Sequence, residues 1–136
     1  MKLSLVVPCY NEAENVQAFQ DAVISAFEGC GYDYEIIFVD DGSRDGTLHN
    51  LRKLFQTQKC PVKVVSFSRN FGKEAAIFAG LEAAKGGCVA VMDCDLQHPP
   101  GTLVEMYRLW EQGYEVVEGV KKTRGKESGG YRFAAG

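Results

Sequence analysis

The sequence predicts an α/β fold in which a mostly parallel β-sheet is flanked by helices. Two observations favour this class. Short β-rich apolar runs alternate with amphipathic runs along the chain, and clusters of turn residues separate them. Parallel strands need long crossover connections, which are right-handed, so this alternation predicts strand–helix–strand units as well as the elements themselves.

Five strands and four helices are predicted in alternation. The first helix is expected to begin near Asn11, because Asn11 and Glu14 have the spacing of a capping box. Its apolar residues Val16, Phe19 and Val23 recur every three or four positions and predict one buried face. The predicted strands are 3–7, 34–39, 61–67, 88–92 and 114–120, and the helices that follow the first are 48–55, 73–85 and 100–112.

Composition limits the class of protein. The chain has 136 residues, of which 46% are hydrophobic and 24% charged, as expected for about one globular domain. The net charge of −3, without a long basic block, argues against a nucleic-acid partner. Five cysteines without paired spacing predict neither disulfides nor a zinc site, and they indicate a reducing, cytoplasmic compartment. No apolar run approaches the roughly 20 residues of a membrane span.

The chain divides at residue 124. Residues 1–124 carry all the predicted elements, whereas residues 125–136 are rich in glycine and are expected to form a loop whose continuation is missing. The sequence therefore predicts one folded unit followed by a glycine-rich loop or a truncated continuation.

Asp93 and Asp95 follow directly after the fourth predicted strand. Because open α/β sheets bind ligands at the carboxyl ends of their strands, both carboxylates are expected at the binding edge. Two carboxylates this close repel each other unless a cation lies nearby, which favours Mg²⁺ or Mn²⁺. A polar turn that caps the next helix explains the same spacing. The tripeptide alone leaves both interpretations open.

Four polar loops are predicted to meet at that edge of the sheet. Together they offer carboxylates, aromatic rings and a lysine, the groups that a nucleotide needs for its base, ribose and phosphates. The glycine-rich dinucleotide fingerprint is absent after the first strand. The four loops are Pro8–Glu12, Asp40–Ser43, Ser68–Lys73 and Asp93–Asp95.

These loops and their flanking residues occur in the order of a known motif set. They read Val6-Val7-Pro8-Cys9-Tyr10-Asn11-Glu12, Val39-Asp40-Asp41-Gly42-Ser43-Arg44-Asp45-Gly46-Thr47, Ser68-Arg69-Asn70-Phe71-Gly72-Lys73-Glu74 and Met92-Asp93-Cys94-Asp95-Leu96-Gln97-His98-Pro99-Pro100. The set resembles the motifs of glycosyltransferase family 2. Within that family the chain is most similar to the polyprenyl-phosphate sugar transferases, such as dolichol-phosphate mannose synthases and bacterial undecaprenyl-phosphate glucosyltransferases. The resemblance implies the Rossmann-like GT-A fold.

The resemblance also implies roles for individual residues. In the family's pattern Asp40 accepts a hydrogen bond from the base, Lys73 approaches the nucleotide, and Asp93 faces the ribose or the metal, so that Asp93 and Asp95 are the expected catalytic pair. Asp95 and Gln97 are the expected ligands of Mg²⁺ or Mn²⁺. The other implied contacts are Pro8, Tyr10, Glu12, Asp41 and Cys94 for the nucleotide, and Lys121 and Arg124 for the phosphates. Lys121 replaces an arginine of the family's pattern and lacks its bidentate fork.

By resemblance, the protein is expected to be an inverting, metal-dependent glycosyltransferase. It would move a sugar from a UDP- or GDP-sugar to a polyprenyl (undecaprenyl or dolichyl) phosphate. The family implies an acceptor segment and membrane attachment beyond these residues, so the expected location is the cytoplasm or the cytoplasmic membrane face. We expect this chain, as the donor-binding half, to bind nucleotide and metal but to transfer sugar poorly. A non-catalytic nucleotide-binding module and a polysaccharide or protein-linked acceptor stay open, as does oligomerisation.

Overall fold

A computed structural model describes residues 2–96, 100–112, 116–120 and 130–135 of the protein. Strands and helices alternate through most of the chain, as the sequence predicts. In order they are β1 (Lys2–Cys9), α1 (Val16–Phe27), β2 (Asp33–Asp40), α2 (Thr47–Thr57), β3 (Val62–Ser66), α3 (Lys73–Ala83), β4 (Cys88–Val91), α4 (Gly101–Glu111), β5 (Val116–Val120) and β6 (Gly130–Ala135).

The strands form one six-stranded sheet within the described ranges, in the order β3-β2-β1-β4-β6-β5. β1 pairs in parallel with β2 and with β4, and β2 pairs in parallel with β3. β6 runs antiparallel to both of its neighbours, β4 and β5. The predicted mostly parallel α/β sheet is thereby confirmed.

The sheet is covered on both faces, which explains why its central strands are apolar on both sides. Residues alternate along β1, so that Leu5 and Val7 join the core under α1, α2 and α4. Val6 joins the smaller core under α3. The same division holds in β2, where Phe38 faces the first core and Ile37 the second. The result is three layers, helices above and below one sheet.

Helix α3 lies very close to the sheet because small residues line its buried side. A Cβ atom at Gly80 would lie 2.3 Å from Cγ1 of Val6, so the helix backbone approaches β1 where only a hydrogen fits. Ala76 is fully buried on the same side. This close contact sets the distance between α3 and β1.

Three details differ from the sequence-based prediction. Residues 130–135 form β6 and not a loop, because β4 and β5 supply pairing partners that local composition does not reveal; residues 121–129 lie outside the described ranges. Asn11 does not cap α1: its φ is +55°, and the helix begins at Val16 after a turn closed by Glu12. The second helix spans Thr47–Thr57, slightly more than the predicted range 48–55.

Glu35 forms a buried ionic cluster at the amino-terminal edge of the sheet, opposite the ends of the strands discussed below. Its Oε2 accepts hydrogen bonds from Ser4 Oγ (2.6 Å) and from the backbone N–H of Lys85 (2.9 Å). Its Oε1 has no hydrogen bond of good geometry, although the ammonium groups of Lys63 and Lys2 lie 3.0 and 3.6 Å away. That contact is therefore ionic, and the cluster ties the α3–β4 loop to β1 and β2.

Candidate functional site

A pocket opens at the carboxyl ends of β1, β2 and β4, where the sequence analysis expects the site. Its volume is about 170 Å³, and it is lined by Pro8, Cys9, Tyr10, Glu12, Asp41, Lys73 and Asp93. Six of these seven residues were predicted as nucleotide contacts, and Cys9 is the addition. Because ligand pockets commonly measure about 300–1,000 Å³, a typical small-molecule ligand would extend beyond this pocket.

Strand register explains why distant loops meet here. β1 pairs with β4 so that Val6 lies opposite Val91, and Met92 continues the ladder by donating its backbone N–H to the Val6 carbonyl at 3.0 Å. The chain therefore enters the Asp93 turn beside Pro8. On the other side, Asp41 donates its backbone N–H to the Cys9 carbonyl at 2.9 Å. Hydrogen bonds to β1 thus position the loops that follow β2 and β4.

The loop after β1 is fastened to the loop after β2 by several hydrogen bonds. The backbone N–H of Asn11 donates to Ser43 Oγ at 2.8 Å, and the Asn11 side chain accepts from the backbone N–H of Arg44 at 2.9 Å. The backbone N–H of Glu12 donates to Thr47 Oγ1 at 2.8 Å. These bonds hold Asn11 in its left-handed conformation and leave the Tyr10 ring, 45% exposed, at the mouth of the pocket.

Asp45 completes this fastening. Its carboxylate accepts from the backbone N–H groups of Ala13 (3.2 Å) and Thr47 (2.9 Å) and from the Thr47 hydroxyl. Burial opposes ionisation of Asp45, but the hydrogen bonds from Thr47 and Ala13 outweigh it and lower the pKa of the carboxyl. We did not predict a role for Ser43, Asp45 or Thr47 from the sequence. Their position in a motif dense in short polar side chains was the feature that could have indicated one.

Asp40 and Asp41 are adjacent but differ in their surroundings. Asp40 is 2% exposed, and its Oδ1 accepts from the backbone N–H of Ser43 at 3.3 Å. Asp41 is 4% exposed and lines the pocket, yet both of its carboxylate oxygens bind the loop that precedes α3. Burial of both carboxylates indicates that each has a defined partner, since an unpaired buried charge is costly.

Lys73 and Asp93 form an ion pair across the pocket. Lys73 Nζ donates to Asp93 Oδ1 at 2.8 Å, and the two side chains are 61% and 38% exposed. An exposed pair of this kind contributes only about 0–1 kcal/mol to stability. Lys73 can therefore exchange its partner for a phosphate oxygen at little cost, and the pair places a cation beside a carboxylate in the pocket.

Cys94 lies between the two aspartates but faces the opposite way. Its side chain is fully buried in the core under α1 and α4, beside Cys9. The hydrogen bond with Cys94, followed by burial, raises the pKa of the Cys9 thiol well above its ordinary value. Position 94 was predicted as a nucleotide contact, and the burial of its thiol means that such a contact would use the backbone.

The remaining predicted residues are placed less completely. Asp95 is exposed in the turn after β4, whereas Gln97, Lys121 and Arg124 lie outside the described residues. Within the described ranges no group of three or more His, Cys, Asp or Glu side chains could hold a metal ion. The carboxylates of the turn still suit Mg²⁺ or Mn²⁺, because Mg²⁺ is commonly held by one or two carboxylates together with substrate phosphates. The chemistry of these donors therefore fits a hard divalent ion that completes its coordination with oxygen atoms from outside the protein.

The fold and the pocket agree with what comparisons with known proteins show. The family model for glycosyl transferase family 2 matches residues 4–135, nearly the whole chain. The chain therefore belongs to glycosyltransferase family 2.

Two relatives illustrate the range of the family. CsbB of Bacillus subtilis (strain 168), whose name marks its glycosyltransferase assignment as provisional, is 46% identical over 124 residues, covering 90% of this chain and 37% of CsbB. An undecaprenyl-phosphate 4-deoxy-4-formamido-L-arabinose transferase of Pseudomonas syringae is 38% identical over 122 residues, covering 90% of this chain and 36% of that protein. The chain thus spans less than half the length of these relatives.

A solved structure with a similar fold carries ligands. The mannosyltransferase PcManGT of Pyrobaculum calidifontis, in complex with GDP-Man and Mn²⁺, superposes with a TM-score of 0.74 at 28% identity, covering 88% of this chain and 35% of that one. The GT-A fold expected from the sequence is thereby confirmed. In the part of the chain that the structure describes, no helix is long and apolar enough to cross a membrane.

Proposed function

We propose that this chain forms the donor-binding part of a metal-dependent, inverting glycosyltransferase that moves a sugar from a nucleotide diphosphate to a polyprenyl phosphate. The observation that carries the proposal is the pocket itself, where the Tyr10 ring, the Glu12 and Asp93 carboxylates and the Lys73 ammonium line one cavity at the carboxyl edge of the sheet. An aromatic face, hydrogen-bond acceptors and a cation correspond to the base, the ribose and the diphosphate of a sugar nucleotide.

The nucleoside is proposed to lie at the β1 and β2 side of the pocket. The exposed Tyr10 ring offers a face on which a base can stack, and stacking tolerates either uracil or guanine. Pro8 borders the same wall. Asp40 is the proposed acceptor for a base N–H, and Glu12, whose Oε1 is held by Asn15 Nδ2 at 2.9 Å, is a proposed ribose acceptor.

The diphosphate is proposed to lie towards Lys73 and Asp95. Lys73 would leave Asp93 for a phosphate oxygen, which frees Asp93 for the ribose or for a shared ion. Asp95, together with Gln97, is the proposed carrier of Mg²⁺ or Mn²⁺, and Lys121 and Arg124 are the proposed additional phosphate contacts. A bound divalent ion supplies neutralisation of the charge that develops on the departing diphosphate.

Sugar transfer is then proposed as a single displacement at the anomeric carbon. A lipid phosphate is already an anion near neutral pH, so the demand for a strong general base is small and positioning dominates. The relative that acts on undecaprenyl phosphate, by its name, supports this acceptor class. Cytoplasmic donor binding and attachment of the whole protein to the membrane belong to the same proposal.

Calorimetric titration with UDP and GDP, each with and without Mn²⁺, tests the donor site. We expect one nucleotide to bind with an affinity at least about tenfold higher when Mn²⁺ is present. Asp95→Asn should abolish this gain. Asp33→Asn is the matched control, because Asp33 is an exposed aspartate at the opposite edge of the sheet, and it should leave the affinity unchanged. Binding that ignores Mn²⁺ contradicts the metal assignment, and no binding of either nucleotide contradicts the donor site.

Transfer of a labelled sugar tests the acceptor separately. The assay uses a protein that contains this chain and is as long as the relatives described above. Undecaprenyl phosphate, an oligosaccharide and an unfolded peptide are supplied together as competing acceptors. Label in the lipid phosphate supports the proposal. Label in the oligosaccharide or the peptide contradicts the lipid acceptor while retaining the transferase, and nucleotide binding without any transfer indicates a binding module.

A further inference from the structure

Asp41 lines the pocket, but its carboxylate is turned towards the protein's own backbone. Oδ1 accepts from the backbone N–H groups of Phe71 (2.7 Å) and Gly72 (3.3 Å). Oδ2 accepts from the Gly72 N–H and from Asn70 Nδ2, both at 3.0 Å. A carboxylate has about four lone-pair sites, so these bonds leave Asp41 little capacity for a ligand.

The same bonds determine where α3 begins. Gly72 is the residue before the helix, and Lys73 is its first residue. The orphan N–H groups at a helix start need acceptors, and a negative charge there is favoured by the helix dipole. Asp41 supplies both from the end of β2. The Asp41 carboxylate therefore fixes the origin of the side chain that crosses the pocket to Asp93.

The backbone next to Asp41 fits this loop closely. A Cβ atom at Gly42 would lie 2.2 Å from the carbonyl carbon of Arg69 and 2.4 Å from the backbone nitrogen of Asn70, and Gly42 has a φ of +68°. The Asn70 side chain also donates to the backbone carbonyl of Asp41 at 3.2 Å. Loop 69–72 is thus held against the end of β2 by backbone contact as well as by the carboxylate.

We propose that Asp41 is a positioning residue: through the Phe71 and Gly72 N–H groups it sets the start of α3 so that the Lys73 ammonium reaches Asp93 and, in the complex, the donor diphosphate. The inference rests on the proposed function for its last step, since Lys73 matters to a ligand only if the pocket binds one. It refines the role that sequence resemblance gave to Asp41, from a direct nucleotide contact to a support of one.

Asp41→Asn is the principal variant. It keeps the shape of the side chain but replaces one acceptor oxygen with an N–H₂ group, which then faces the donors of Gly72 or Asn70. Asp45→Asn is the matched control, because Asp45 also accepts backbone N–H groups in the same loop yet does not line the pocket. The two variants lose comparable hydrogen bonds, and only the first lies next to α3.

The first measurement needs no nucleotide. In crystal structures of the two variants, we expect the Lys73–Asp93 distance to exceed about 4 Å, the limit of an ion pair, in Asp41→Asn. The contact should persist in Asp45→Asn. An intact Lys73–Asp93 pair in Asp41→Asn overturns the inference, whether or not the chain binds a nucleotide. If Asp41→Asn does not fold, Asp41→Glu is the second variant, because it keeps the charge but moves the carboxylate away from the Phe71 and Gly72 N–H groups by one methylene. It should also displace Lys73 from Asp93, and an intact pair in that variant overturns the inference.

The second measurement is a double-mutant cycle read by calorimetry with UDP or GDP and Mn²⁺. Asp41→Asn should weaken binding about tenfold when Lys73 is present and by less than about twofold in a Lys73→Met background, because the two residues act in series. Equal losses in both backgrounds overturn the inference and indicate a direct contact from Asp41. If the unmodified chain binds neither nucleotide, the proposed donor site fails, and the crystallographic distance alone decides the role of Asp41.

Discussion

Replacing Glu35 with glutamine should remove a large, pH-dependent part of the stability of this fold. Glu35 is 1% exposed. Burial opposes its ionisation, but the hydrogen bonds from Ser4 and Lys85 and the charges of Lys63 and Lys2 outweigh burial and lower the pKa of its carboxyl from 4.5 to about 2. At about 1.36 kcal/mol per pKa unit, the ionised form contributes about 3 kcal/mol to the free energy of unfolding.

The sign of the pH dependence follows from the direction of that pKa change. Since the folded chain holds Glu35 ionised at a lower pH than the unfolded chain does, the stabilisation is complete above about pH 4.5. It is lost as the pH falls through about 2. Glu35→Gln should therefore be about 3 kcal/mol less stable than the unmodified protein near pH 6, and the difference should shrink by about 2 kcal/mol at pH 3.

Urea unfolding at a series of pH values between 6 and 3 measures this difference. Glu82→Gln is the control for loss of an exposed carboxylate, since Glu82 lies on the exposed face of α3. A Glu35→Gln penalty that stays constant with pH, or that grows as the pH falls, would contradict this expectation. Such a result would mean that packing, and not the charge of Glu35, makes the contribution.

Two further predictions concern the site. Gly42→Ala should destabilise the fold by several kcal/mol in urea unfolding, because its Cβ would collide with the backbone of Arg69. The control Gly29→Ala has a φ of +77° and open space around it, so it should cost only the roughly 1–2 kcal/mol of a left-handed backbone. Equal costs for the two variants would show that the close approach at Gly42 is unimportant. Tyr10→Ala should weaken UDP or GDP binding by about 1–3 kcal/mol in calorimetry, because stacking on the ring is lost. Phe55 is a similarly exposed aromatic residue on α2, so Phe55→Ala should leave the affinity unchanged. An unchanged affinity for Tyr10→Ala would place the base elsewhere.

Much of the fold follows from local pattern and topology. The alternation of strand and helix signals predicts the parallel sheet from β1 to β4, and the rule that strand ends share an edge predicts that the loops of Tyr10, Asp41 and Asp93 meet. β6 escapes prediction because its pairing partners, β4 and β5, are what make residues 130–135 a strand. Local composition around those residues is rich in glycine, and the two aromatic residues Tyr131 and Phe133 alone do not establish a strand.

The different roles of the site residues cannot be predicted from the sequence. Asp40, Asp41 and Asp45 are the same residue type within six positions, yet Asp41 binds loop 70–72 and Asp45 binds the loop after β1. Likewise, Cys94 and its neighbour Asp93 face opposite sides, the core and the pocket. Such assignments depend on which backbone N–H lies within about 3 Å, and only the packed structure determines that.

A crystal structure of the chain soaked with UDP or GDP and Mn²⁺ tests the donor site most directly, with the anomalous scattering of manganese to locate the ion. We expect the base against the Tyr10 ring, Lys73 moved from Asp93 to the diphosphate, and manganese bound by the Asp95 carboxylate. Nucleotide density away from the Tyr10 pocket, or manganese away from the Asp93–Asp95 turn, would contradict this expectation.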